Sequence, residues 1–160
     1  MDHVALAELL GNYGEFVGAI AVVVTLAYLA VQIRQQNVQS RRASMHDIAV
    51  SFREALAQFG ELEHAELFLR FTRDFDSLDA SEKYFIMNRM MAILRVFEEA
   101  FLLYQEGGLD ERYWLGYRHT IASYFSTPGI QSIWVIRQHQ FHVDFQEFLR
   151  NLETSEYILD

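Results

Sequence analysis

Residues 16–33 read FVGAIAVVVTLAYLAVQI, eighteen residues without a charge or a proline. A chain carrying such a run has two physical options. It crosses a bilayer, or it hides the run inside a protein core. At 1.5 Å rise per residue the run covers about 27 Å as a helix, against a hydrocarbon layer of about 30 Å. Asn12, Tyr13 and Gly14 extend it, with Glu15 near the interface and Tyr13 at the depth where aromatic belts form. The expected organisation is a short N-terminal segment (1–12), a transmembrane helix (13–33), a cytoplasmic helical bundle (34–154) and a tail (155–160). The competing expectation is a soluble helical oligomer that buries residues 16–33.

Charge gives the run a direction. Residues 1–33 hold Asp2, Glu8 and Glu15 and no Lys or Arg. Arg34, Arg41 and Arg42 follow, with no acid before Asp47. Basic residues beside a span stay on the cytoplasmic side, so the expected location is an inner membrane with the N-terminus outside and the C-terminal domain inside. The leading flank is acidic, whereas a cleaved signal peptide begins with a positive region. The arginines have a second reading, as attractors of anionic lipid. Within the span, Gly14 and Gly18 have the spacing that lets two membrane helices approach closely.

Beyond the span the chain reads as all-α. Hydrophobic residues are 51% of the 160, enough for a packed core, and the single proline is Pro128. Val38, Met45, Ile48, Phe52, Ala55 and Phe59 mark one helix face continuing from the span, to end near Gly60. A helix is expected over 61–73, with its acids early and Arg70 and Arg73 late, in keeping with the helix dipole. Asp79 and Glu82 have capping-box spacing and open a helix over about 80–106. Its inward stripe is Met87, Met90, Leu94, Phe97, Phe101 and Tyr104, widened by Ile86, Met91, Ile93 and Leu103, and it stops at Gly107-Gly108. Asp110 caps a helix over 111–126. Thr127-Pro128 starts another over 128–139, and a last one covers 143–154. The expected fold is thus a long membrane-spanning helix continuing into an antiparallel bundle of about five further helical segments. Gly11, Asn12 and Gly14 permit a bend before the span.

Little in this pattern points to chemistry. There is no cysteine, which excludes disulfides, thiolate metal sites and cysteine nucleophiles. No P-loop, G-x-G-x-x-G, G-x-S-x-G or HExxH occurs. Glu61-x-x-His64 has the spacing of a di-iron carboxylate ligand pair, but a single copy does not make that site. His139 and His142 read as surface or capping residues. Arg95, Glu98 and Trp114 mark the least implausible pocket or buried polar pair, although Arg95 and Glu98 at i,i+3 are also an ordinary helix ion pair. The aromatic residues Trp114, Tyr117, Tyr124, Phe125 and Trp134 read as core. Residues 34–160 have a net charge of −6, a poor match to nucleic acid. No cofactor, metal or nucleic acid is expected. The expected partners are the lipid bilayer and a protein partner or a second copy of the chain. The alternative is a membrane-anchored ligand-binding or enzymatic module.

Several short stretches carry a resemblance. Val23-Val24-Thr25-Leu26, Gln32-Ile33-Arg34-Gln35, Arg95-Val96-Phe97-Glu98 and Thr127-Pro128-Gly129 followed by Trp134 resemble a group of small uncharacterised bacterial proteins. These have one N-terminal span and a helical cytoplasmic part. The resemblance implies a bacterial membrane protein and transfers no catalytic residue.

Overall fold

The computed structural model describes the backbone of residues 3–57, 59 and 62–154, and side chains from Tyr13 onward except those of residues 62 and 63. Among the described residues six α-helices appear in chain order: α1 (His3–Ala57), α2 (Leu62–Arg73), α3 (Ala80–Gln105), α4 (Glu111–Phe125), α5 (Pro128–Arg137) and α6 (Val143–Arg150). A single 3₁₀ turn (Gln138–Gln140) joins the last two. No strand occurs among the described residues, so the chain is all-α. It divides into two compact units, Met1–Arg42 and Ala43–Asp160. Gly60, Glu61 and the tail from residue 155 lie outside the described residues.

In the first unit α1 runs as one unbroken helix through Gly11, Asn12 and Gly14, the residues that permit a bend. A glycine inside a helix costs roughly 1 kcal/mol relative to alanine, too little to end a helix that is hydrogen-bonded on both sides. Side chains from Tyr13 to Val31 are exposed without exception, as are those from Ile33 to Arg42.

The second unit is built around α3, which packs against α2, α4, α5 and α6. Nine of its residues are buried: Ile86, Met90, Ile93, Leu94, Val96, Phe97, Glu98, Ala100 and Phe101. The buried surface is therefore broader than one stripe and is turned toward Ile86 and Ile93, leaving Met87 and Tyr104 only half-buried. This width is what a helix with neighbours on several sides requires. The last part of α1 joins this core through buried Ile48 and Ala55. Phe52 meets Phe97 at 5.5 Å and Tyr117 edge-on at 6.3 Å between ring centroids. Fully burying one such side chain stabilises by roughly 1.5–3 kcal/mol.

The ends of α3 are set locally. The Asp79 carboxylate accepts from the backbone N–H groups of Ser81 and Glu82 (2.8 and 2.9 Å), and Glu82 accepts from the Asp79 N–H (3.0 Å). That is the reciprocal capping box expected from the sequence. At the far end Gly107 adopts φ +71°, and the N–H groups of Gly107 and Gly108 return to the carbonyls of Tyr104 and Leu103. Glycine adopts this left-handed conformation without a Cβ penalty.

The start of α5 departs from expectation. Thr127 sits at the cap position, but its hydroxyl donates back to the Tyr124 carbonyl (2.8 Å) and does not cap the new helix. Pro128 at the first helical position has no N–H to satisfy, which lowers the demand for a cap. Next to it, Gly129 is buried because α2 crosses here: a Cβ on Gly129 would stand 2.0 Å from the Phe71 carbonyl oxygen. After Arg137 the chain tightens into the 3₁₀ turn instead of completing an α-helix to 139. Helix α6 ends at Arg150, four residues short of the expected boundary.

Candidate functional site

The first candidate surface is the apolar part of α1. It is the one helix among the described residues long and apolar enough to cross a membrane, and none of its most apolar eighteen-residue window is buried. The exposed side chains include Tyr13, Phe16, Val17, Ile20, Val22, Val23, Val24, Leu26, Tyr28, Leu29, Val31 and Ile33. Contiguous apolar surface on this scale is untenable in water and marks a membrane or protein interface. Polar side chains within the run bond along the helix. Thr25 donates to the Ala21 carbonyl (2.8 Å), and the Gln32 amide donates to the Tyr28 hydroxyl (3.0 Å). Local satisfaction of this kind is what a low-dielectric surrounding demands. Gly14 and Gly18 have open space where a Cβ would stand.

Arg34, Arg41 and Arg42 follow, all exposed. Arg34 and Arg42 line a shallow groove of about 410 Å³ together with Val31, Gln35, Val38 and Gln39. None of the three arginines makes an ion pair among the described residues.

The second candidate is the Arg95–Glu98 pair on α3. Glu98 is a buried carboxylate, 8% exposed. One oxygen accepts from the Arg95 guanidinium at 2.6 Å, and the other accepts from the backbone N–H of His142 at 2.5 Å. Arg95 also donates to the Gln140 carbonyl (2.8 Å) and lies 4.4 Å from the centre of the Phe141 ring. The pair therefore grips three consecutive residues, Gln140, Phe141 and His142, at the junction of the 3₁₀ turn and α6. Both carboxylate oxygens are occupied, so the arrangement is that of a structural clamp. Beside it lies an open groove of about 410 Å³ lined by Arg95, Glu98, Glu99, Leu102, Leu103 and Glu106.

Trp114 is not part of this groove. It is buried between Tyr104 (5.0 Å), Phe148 (5.4 Å) and Phe101 (5.8 Å), the ring contacts that hold α4 and α6 on α3. Of the three residues grouped by sequence, the fold joins two and puts the third in the core.

Two of the histidines serve packing and capping. His64 stacks on Phe85 at 4.8 Å, and its partner in the Glu61-x-x-His64 spacing lies outside the described residues. His142 caps α6, its Nδ1 accepting from the Asp144 N–H at 3.3 Å. No group of three or more potential metal ligands comes together among the described residues.

Two features were not legible in advance. Arg137 of α5 donates from Nε and Nη2 to the sulfur of Met87, both at 3.2 Å, beside a groove of about 340 Å³ that also includes Tyr84, Asn88, Met91 and Gln140. Arg70 of α2 pairs with Glu82, so one carboxylate both completes the capping box and ties α2 to α3. The Arg70 guanidinium, and then the Asp79 N–H, hold the Glu82 carboxyl below the usual carboxylate range. No local sequence signal joins either pair, since their members are 50 and 12 residues apart.

No protein-family model matches the chain, and neither curated proteins nor solved structures yield a significant match.

Proposed function

We propose that the protein is a single-pass bacterial inner-membrane protein whose N-terminus faces outward and whose helical bundle docks in the cytoplasm with another protein or with a second copy. The observation that carries the membrane part is the exposed apolar surface of residues 13–33, about 32 Å long at 1.5 Å per residue. The orientation rests on Arg34, Arg41 and Arg42 following a flank that has acids and no bases. The interaction part rests on the bundle itself. Its polar clusters are capping, clamping and ion-pair arrangements, and the motifs of the common enzyme classes are missing from the sequence. The bacterial assignment rests on the resemblance of the short stretches quoted above.

Reporter fusions test the orientation. A phosphatase active only outside the cytoplasm is expected to be active at the N-terminus and silent at the C-terminus; the reverse pattern overturns the topology. Detergent extraction followed by affinity capture is expected to recover a stoichiometric partner or a self-associated species. A clean monomer overturns the interaction role. The exposed apolar run also favours a second reading, a soluble oligomer in which copies of α1 cover one another, and alkaline carbonate extraction separates the two.

A further inference from the structure

We propose that Arg34, Arg41 and Arg42 form a binding face for the phosphate of anionic lipid headgroups. This deepens the membrane reading and rests on it. At 100° per residue the three arginines fall within an arc of about 100° on one side of α1, spread over about 12 Å of its axis. The opposite side of the same stretch carries Gln36 and Ser40, neither of them charged. Setting topology requires only positive charge beside the span, at any angle around the helix. A one-sided face goes further, because guanidinium groups on the same side of the helix can reach the same neighbouring lipid headgroup.

The chemistry of the face fits a phosphodiester. Guanidinium groups donate paired hydrogen bonds to phosphate oxygens and are more weakly hydrated than ammonium. Arg34 and Arg42 border a groove with Gln35 and Gln39, whose amides are further donors, and with Val31 and Val38, whose side chains suit the apolar stem of a lipid. The charge distribution points the same way. Residues 34–42 hold three arginines and no acid, whereas residues 43–160 hold ten basic and nineteen acidic side chains, a balance of −9 equal to that of the whole chain. An anionic surface repels the bundle and attracts this face. A basic residue close to an anionic leaflet contributes roughly a fivefold preference, so three contribute on the order of a hundredfold.

Native mass spectrometry of the full chain in a neutral detergent tests this, with phosphatidylglycerol and phosphatidylcholine of identical acyl chains as probes. A micelle has no sides, so the outcome does not depend on orientation. The expected result is at least a tenfold preference for phosphatidylglycerol, lost in R34Q/R41Q/R42Q and kept in R53Q/R118Q. Equal binding of the two lipids, or a preference that survives the triple substitution, overturns the proposal. Inorganic phosphate at the same concentration distinguishes a free anion from a headgroup: saturation by phosphate alone overturns the lipid assignment. Carbonate extraction of the same triple variant keeps the two ideas separate. A variant that stays in the membrane but has lost the lipid preference supports both. A wild-type chain that stays in the membrane without any preference refutes the lipid face alone.

Discussion

Placing an arginine at residue 24 measures what holds residues 13–33 in their environment. Val24 is 62% exposed and lies next to the midpoint of the stretch. Ten Val, Ile, Leu and Phe residues lie within 16–33. At roughly −0.3 to −0.6 kcal/mol each on an insertion scale, they contribute about −3 to −6 kcal/mol. Thr25 and Gln32 subtract little, because both already donate within the helix. Arginine at the centre costs about 2.5–3.5 kcal/mol, so Val24→Arg shifts the balance by about 3–4 kcal/mol and removes half or more of the driving force. A second arginine at Val22 removes the remainder. The assay is alkaline carbonate extraction with flotation, which separates membranes from aggregates. Wild type is expected in the floated membranes, Val24→Arg divided between fractions, and Val22→Arg/Val24→Arg released. Val135→Arg, at an exposed position on α5, is expected to behave as wild type. Release of the wild-type chain, or flotation of the double variant at the wild-type level, refutes the reasoning.

Glu98→Ala removes one acceptor of the Arg95 guanidinium and leaves the His142 N–H unpaired and is expected to cost about 1–3 kcal/mol in urea unfolding, with hydrogen exchange rising first at Gln140, Phe141 and His142. Gly129→Ala drives a Cβ into the Phe71 carbonyl and is expected to destabilise by about 1–3 kcal/mol. Gly116→Ala, with open space around it, is expected to stabilise by about 0.5–1 kcal/mol; equal effects at the two glycines argue against the α2–α5 crossing. The folded-state pKa of Glu82 is lowered, first by the Arg70 hydrogen bond. Its contribution is therefore complete above the unfolded value near 4.5 and is lost as pH falls through the lower folded value. A pH series of unfolding is expected to show a shallower acid limb in Glu82→Gln, and an unchanged limb refutes the pairing.

Much of the architecture was legible because it is written in local patterns. The capping box at Asp79 and Glu82, the Gly107-Gly108 stop and the proline at the start of α5 all act within a few residues of themselves, and the helices began or ended where they indicated. Helix ends set by distant contacts were not legible. The 128–139 segment breaks into a 3₁₀ turn where Arg95 and Glu98 hold Gln140 and His142, about 45 residues away in the chain. Spacing alone suggested an Arg95–Glu98 pair on one helix face. That the pair holds the entry to α6, and that Trp114 belongs to the core, followed only from the packing.

The sequence by itself determined that the chain is helical, that residues 13–33 form an apolar helix, and that bases follow it where acids precede it. These properties depend on composition and short-range periodicity, which survive in any fold the chain adopts. Tertiary structure decided which face of α3 is buried, that Glu98 spends both oxygens on a clamp, and that α2 and α5 cross at Gly129. Each of these depends on groups brought together from distant parts of the chain, where proximity is a property of the packed bundle and of no single segment.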